Sequence, residues 1–462
     1  MDKNTKKQFT DTEESRNNSN QDLIELQQID RKPVIASFTG EKISTDGGLL
    51  LLNELEKQIG IIGSLTNCII DNRHPSYIQH SIKSMLTQRV FQIAAGYEDA
   101  NDCNHLKGDA VLKICAGQLP ESGTSLASQP TMSRFENQLS KIELYNMAVA
   151  IVDHFINSYT NEPLVIIVDC DDTNSDTYGE QQLSLFNNYY GEYCYMPLHI
   201  YEGLSGKLIT TILKPGRRSK SVDVYGILKR LIVHLRQKWK NTTIIVRGDS
   251  HFCSRELMDW TLEQKKVHFI SGLSGNSVLN KLAETTIESA KKKYEKFGEP
   301  VKCYHTFEYK AASWKHSQRV IVKVEVSSLG TNIRYIVTDL REYKTKALYE
   351  KGYCARGSME LRIKDHKLYL HSDRMSCNSF WANQMRLFMH SAAYILIHTL
   401  QKDFLKGTEF QNDTIDTIKL KILKIATRIT EMKTKVKIEF PYDFPLKELL
   451  RKCFVAFAIL RC

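Results

Sequence analysis

An apolar run, Leu164-Val-Ile-Ile-Val168, and a β-branched one, Thr242-Thr-Ile-Ile-Val246, stand out from the surrounding polar text, and each leads into an aspartate. Uninterrupted apolar runs of this length predict strands buried on both faces, with Asp169-Cys-Asp171-Asp172-Thr173 and Arg247-Gly248-Asp249 marking their exits to solvent. Tyr193 to Ile200 and Lys207 to Leu213 predict two more strands, with Gly203 and Gly206 in the turn between them. Val222 to Lys240 predicts the helix that leads into the Thr242 strand. Beyond Asp249, a helix is expected over Ser254 to Lys266 and a short strand over Val267 to Ser271. Tyr304 to Tyr309, Gln318 to Val326 and Asn332 to Thr338 then alternate like antiparallel strands. Phe380 to Leu400 has too many apolar positions for a surface helix, so it is expected to pack on the sheet despite Asn383, Arg386 and His390. The pattern as a whole predicts an α/β protein with a mixed sheet flanked by helices.

The chain divides by pattern into four sections. Residues 1–30 are polar, without an apolar targeting segment, and read as a disordered arm. Residues 31–160 read as helical: Leu49 onward after Gly47-Gly48, Ile78 to Ala95, Asn104 to Cys115, and a helix from Pro130 with Thr131 or Ser133 as its cap. Residues 161–400 hold the α/β section, with a β-rich insertion at about 265–345, and residues 401–462 form a C-terminal basic helix and tail, with Lys and Arg clustered from Lys419 to Lys437.

Composition narrows the classes without choosing among them. Lys plus Arg number 63 against 53 Asp plus Glu, and the formal net charge of +10 favours a polyanionic partner. At 462 residues and 42% hydrophobic content, one large core and one or two smaller ones can be filled. The eleven cysteines include no Cys-x-x-Cys pair, which fits reduced thiols in the cytoplasm and argues against a zinc site. No run approaches the length of a membrane-spanning helix, so no membrane partner is expected.

Candidate chemistry concentrates in Tyr353-Cys-Ala-Arg356-Gly-Ser-Met-Glu360-Leu-Arg-Ile-Lys-Asp-His-Lys367. On an α-helix these spacings put Tyr353, Arg356, Glu360 and Lys367 within roughly 60° of one another. A carboxylate flanked by cations and a hydroxyl suits a phosphate with a divalent metal; i,i+4 ion pairs on a solvated helix are the plainer alternative. Two strands ending in Asp and a helix presenting Glu bring three carboxylates around one or two Mg²⁺ ions, a grouping that supports in-line displacement at phosphorus.

In these residues the chain resembles a DDE transposase of the IS4-like group, whose Tyr-Arg-Glu-Lys signature has the spacing found from Tyr353 to Lys367. More narrowly, it is similar to IS1380-family insertion-sequence transposases. The matching segments are Ser44 to Asn53, Gly96 to Asp102, Leu126 to Asn137, Val168 to Thr173, Leu213 to Gly216, Arg247 to Phe252 and Ala382 to Arg386. The resemblance implies an RNase H-like catalytic core, matched by the order of three strands, a helix and a fourth strand. It also implies a β-rich insertion covering the DNA end and an N-terminal helical domain for DNA-end binding and dimerisation.

It assigns Asp169, Asp249 and Glu360 as catalytic, metal-binding residues, and Tyr353, Arg356 and Lys367 as DNA-binding ones. Asp171 shares a strand face with Asp169 and competes for the first place; Asp169, directly after the apolar run, is favoured. The implied cofactor is a pair of Mg²⁺ ions, with Mn²⁺ as a substitute. The implied partners are double-stranded DNA, as terminal inverted repeats and as target, and a second copy of the chain in a synaptic homodimer. The implied activity is cut-and-paste transposition by a cytoplasmic enzyme.

Other readings remain at this point. Asp169-x-Asp171-x-Thr173 also fits the nucleophile motif of haloacid-dehalogenase-type phosphatases, although Cys253 stands where a later acid is needed. A transposase-derived DNA-binding protein without catalysis is the other alternative. Lys214 to Lys220 is a basic turn for backbone phosphates or a solvated loop, and Trp314 a base-stacking residue or a buried sheet-end one.

Overall fold

The computed structural model describes residues 23–217 and 221–460. The arm expected over 1–30 lies outside the described residues up to 22. From there the chain forms a hairpin of β1 (Leu23–Ile29) and β2 (Lys32–Ser37).

An eight-stranded mixed sheet organises the chain. Its strands are β3 (Val165–Asp172), β4 (Leu198–Glu202), β5 (Leu208–Ile212), β6 (Thr243–Gly248), β7 (Val267–Leu273), β8 (Val301–Tyr309), β9 (Gln318–Ser327) and β10 (Gly330–Thr338), in the spatial order β8-β9-β10-β7-β6-β3-β4-β5. β3, β6 and β7 run parallel, and all other neighbours are antiparallel. Two of the parallel strands, β3 and β6, carry the runs noted in the sequence, as strands covered on both faces do.

Alternation along β3 sends its residues to two different environments. Ile166, Val168 and Cys170 join one core with α3 (Lys141–Asn157), α4 (Ser221–Lys238) and α5 (Arg255–Leu262). Asp169 and Asp171 face the other side, towards a helical run over 345–369 that contains α7 (Gly357–Lys364). Along this side α8 (Phe380–Thr399) packs on β5 and is buried almost all round, as its apolar content predicts.

Several expectations are corrected. The single strand foreseen over Tyr193 to Ile200 breaks at Pro197, whose missing N–H cannot join a ladder. Glu192–Tyr195 belongs to a small three-stranded sheet, and β4 to the central one. In the β-rich stretch expected at 265–345, β7 sits inside the central sheet and β8 to β10 extend it. Two unforeseen helices, Ser277–Leu282 and α6 (Glu284–Phe297), cover that extension.

The helix near Pro130 starts at Gln129 after Ser128, so neither Thr131 nor Ser133 caps it. The basic helix expected at 419–437 ends by Leu423, and Thr427–Glu431 and Val436–Glu439 pair into a sheet with Ile43–Ser44. That sheet ties the chain's two ends together. α1 (Leu49–Ile59), α2 (Ile82–Ala94), α8 and Phe457 of the last helix share one core. Gly47 and Gly48 are needed where the ends meet, since a Cβ on Gly48 would lie 1.9 Å from the carbonyl oxygen of Ile422.

Candidate active site

Parallel register builds the site. β3 and β6 align Val168 with Val246 and Asp169 with Arg247. Two positions further on and nearer solvent come Asp171, on the same face of β3, and Asp249, one residue past the end of β6.

The inner level is a closed ion pair. Arg247 donates from Nε and Nη2 to the two oxygens of Asp169 at 2.5 and 2.6 Å, and each residue is 1% exposed. Its remaining terminal nitrogen donates to the carbonyl of Gly352, pinning the helical run to the sheet. Gly203 leaves room for the pair, because a Cβ there would come within 2.7 Å of both Asp169 and Arg247. Glu202 beside it is also structural: it accepts from the amides of Ile167, Leu204 and Ser205, closing the turn after β4.

Chemistry is available at the outer level. Asp171 accepts from Arg356 Nη1 at 2.8 Å, and Arg356 Nη2 stands 3.9 Å from Glu360. Burial pushes the Asp171 carboxyl up to about 6; Arg356 opposes the rise and the neighbouring Asp249 adds to it. Burial pulls Arg356 down, but Asp171 and Asp249 leave it raised overall, so it stays charged. Asp249 accepts from the His251 amide at 2.8 Å and contacts the ring Nδ1 at 2.7 Å. The Tyr353 hydroxyl lies over Gly272, where a Cβ would approach it to 2.8 Å, and burial raises this phenol. Lys367 donates to Thr173 and Asn174 at 3.2 and 3.0 Å, at the exit of β3.

Asp171, Asp249, Tyr353, Arg356 and Lys367 thus converge on the ends of β3 and β6. Glu360 reaches the group only through Arg356, and its side chain is 69% exposed. The single helical stripe foreseen for the signature is corrected, since the run has wide turns over Leu348–Tyr353 and Asp365–Tyr369 and a tight one over Cys354–Arg356. Asp169, favoured from the sequence for the first place of the triad, has both oxygens taken by Arg247, whereas Asp171 accepts from Arg356. A phosphorylated Asp169 meets the same obstacle. Asp172 points away, as its place on the strand requires, and pairs with Lys214 of the basic turn at 2.7 Å. Residues 218–220 of that turn lie outside the described residues. Trp314, half-buried, packs edge-on against Tyr309 beside the core of the sheet extension, which favours its packing role.

Sequence reasoning missed Arg247. Its signal was present: Arg-x-Asp at 247 and 249 repeats the spacing of Asp-x-Asp at 169 and 171, so aligned strands pair the first members and set the second ones side by side.

Placed as they are, no three His, Cys, Asp or Glu side chains among the described residues form a group that holds a metal ion. The donor set nevertheless fits a hard divalent cation. Asp249 is close enough to raise the Asp171 carboxyl, and Glu360 lies 3.9 Å from the guanidinium that Asp171 binds.

The chain matches the family model described as Transposase DDE domain group 1 over residues 26–462. This chain belongs to the DDE transposases. Such enzymes cut and transfer DNA strands and generally use divalent metal ions. No curated protein matches the chain. Among solved structures, a piggyBac transposase synaptic complex with hairpin DNA is similar over 82% of this chain and 80% of that one, at 12% identity and a TM-score of 0.41. Among the described residues of this transposase, no helix is long and apolar enough to cross a membrane.

Proposed function

We propose that this transposase is the cut-and-paste enzyme of an insertion sequence of the IS1380 family, within the IS4-like group. In this reading it binds terminal inverted repeats as a synaptic homodimer, and its sheet is an RNase H-like core. The strand order supports the last point: β5-β4-β3-β6-β7 has the first, fourth and fifth of these strands parallel in chain order. The proposed triad is Asp171, Asp249 and Glu360, with Asp169 holding Arg247 beneath it. One observation carries this assignment: Asp171 and Asp249 lie at the exits of neighbouring parallel strands, close enough for Asp249 to raise the Asp171 carboxyl, and Arg356 links Asp171 to Glu360.

Asp171, Asp249 and Glu360 would hold two Mg²⁺ ions, or Mn²⁺ in their place. When bound, the ions supply the Lewis acidity that activates water, and later a 3′-OH, and that stabilises the leaving oxygen. Asp171 sheds its proton above about pH 6 and presents a full carboxylate to a cation. Arg356 offers a planar fork to phosphate oxygens, and Lys367 a point charge at the end of β3. The Tyr353 hydroxyl, fixed over Gly272, donates to the same backbone. Glu360 is the most exposed of the acids and has room to turn inward as DNA enters.

The test is nicking of linear DNA carrying the element's ends in Mg²⁺. Wild type should nick at the ends, while Asp171→Asn and Glu360→Gln should lose at least about 100-fold in rate. Wild-type rates in both variants would end the assignment.

A further inference from the structure

Three helices turn apolar residues towards one gap beside β5, the edge strand of the sheet. α3 brings Leu144, Ala148 and Val152, α4 brings Ile227 and Leu231, and α8 brings Phe388. The cleft they enclose has a volume of about 420 Å³, within the range of small-molecule sites. Two polar side chains also line it, Thr210 and Gln384, which are 4% and 6% exposed. Gln384 is fixed, because the Leu213 amide lies 2.7 Å from its Oε1 and can only donate to it. Nε2 is thereby a donor without a partner among the described residues, and so is the Thr210 hydroxyl. Buried donors as a rule meet an acceptor.

The charges around the cleft have one sign. Lys141, Arg230 and His234 line it, no acid is among the described residues that do, and nearby Asp153 is bound to His234 at 2.7 Å. Lys141 Nζ lies 5.0 Å from the centre of the Trp381 ring, and Gln384 stands one turn along α8 from Trp381. The cation and the free amide donor therefore share one end of the cleft. Two turns of helix, about 10 Å across, would need roughly twice its volume, so a small molecule fits better than a docked helix. We propose that this cleft binds an anionic amphiphile, a carboxylate on an apolar body. The carboxylate accepts from Gln384 Nε2 beside Lys141, and the body runs between the helices towards Phe388 and Val152. The cleft shares no residue with the acids at the strand exits.

Octanoate, decanoate and dodecanoate, each below its micelle concentration, are titrated into the full chain by calorimetry, with thermal melts in parallel. Decyltrimethylammonium is the control of opposite charge, and Lys141→Glu and Ala148→Phe are the variants. Lys141 is exposed at the first position of α3, where a glutamate favours the helix, so the first variant keeps the fold. The expected result is saturable binding that tightens about three- to fourfold per added methylene and raises the melting temperature. Decanoate should bind Lys141→Glu at least about tenfold more weakly and Ala148→Phe not measurably. No saturable binding at millimolar ligand overturns the proposal, as does equal affinity for decyltrimethylammonium or wild-type affinity in Lys141→Glu. Normal binding by Ala148→Phe also overturns it, since the apolar body would then sit elsewhere. If Ala148→Phe melts early, Lys141→Glu decides alone.

Discussion

Asp169 and Asp171 lie on one face of β3, and two positions along the strand separate a buried counter-ion from an acid open to ligands. Replacing Asp169 by Asn leaves Arg247 buried without a carboxylate, and breaking such a pair costs about 3–5 kcal/mol. Urea unfolding should show that loss for Asp169→Asn and little for Asp171→Asn; equal losses would mean that Asp171 is as structural as its neighbour. The raised Asp171 carboxyl also sets a pH dependence. Its folded value, about 6, lies above the ordinary 3.8, so the folded chain binds the proton more tightly than the unfolded one. From that group, stability is greatest below about pH 4, declines as pH rises through about 6 and is flat beyond. A cation competes with the same proton. Mg²⁺ or Mn²⁺ binding, measured by calorimetry in buffers of different ionisation heat, should weaken as pH falls through about 6 and release protons; binding that is constant from pH 5 to 8 would contradict the role given to Asp171.

At the scale of elements, the strand exits and the helical run hold the site, and their spacing is set where backbones come close. A Cβ on Gly272 of β7 would lie 2.8 Å from both the Ser250 amide and the Tyr353 hydroxyl, and 3.2 Å from the Asp249 backbone. Gly272→Ala should therefore push Tyr353 and the Asp249 turn apart. End cleavage is expected to fall at least about tenfold, with a lower melting temperature and secondary structure kept by circular dichroism; wild-type cleavage would show that the approach is slack. The signature was legible as a helix, but its wide turns were not. Arg247 takes the carbonyl of Gly352 at the end of the first wide turn, and a side chain entering the helical ladder from another strand is invisible to periodicity. The split at Pro197 was local and readable in principle. The joining of β8 to β10 to the central sheet was not, because alternation predicts strands and says nothing about which neighbours they choose.

Across the whole molecule, the sheet extension continues outward from the site. Register aligns Tyr304, Lys323 and Arg334 in one row, and Arg334 is exposed and close enough to weigh on Tyr349 and Tyr353. With a net charge of +10, DNA affinity should fall steeply with salt. Arg334→Ala should flatten the plot of log affinity against log salt by about one unit of slope, the mark of one lost phosphate contact. An unchanged slope would take this row out of the interface.

The sequence by itself determined the central strands, the acids at their exits and the spacing from Tyr353 to Lys367, because apolar runs and short offsets are properties of neighbouring residues. Only the tertiary structure decided which acid Arg247 engages. That choice depends on the register between β3 and β6, strands far apart in the chain, which buries Arg247 against Asp169 and leaves Asp171 beside Asp249. The common core of the two chain ends is likewise a product of long-range packing, which no local pattern encodes.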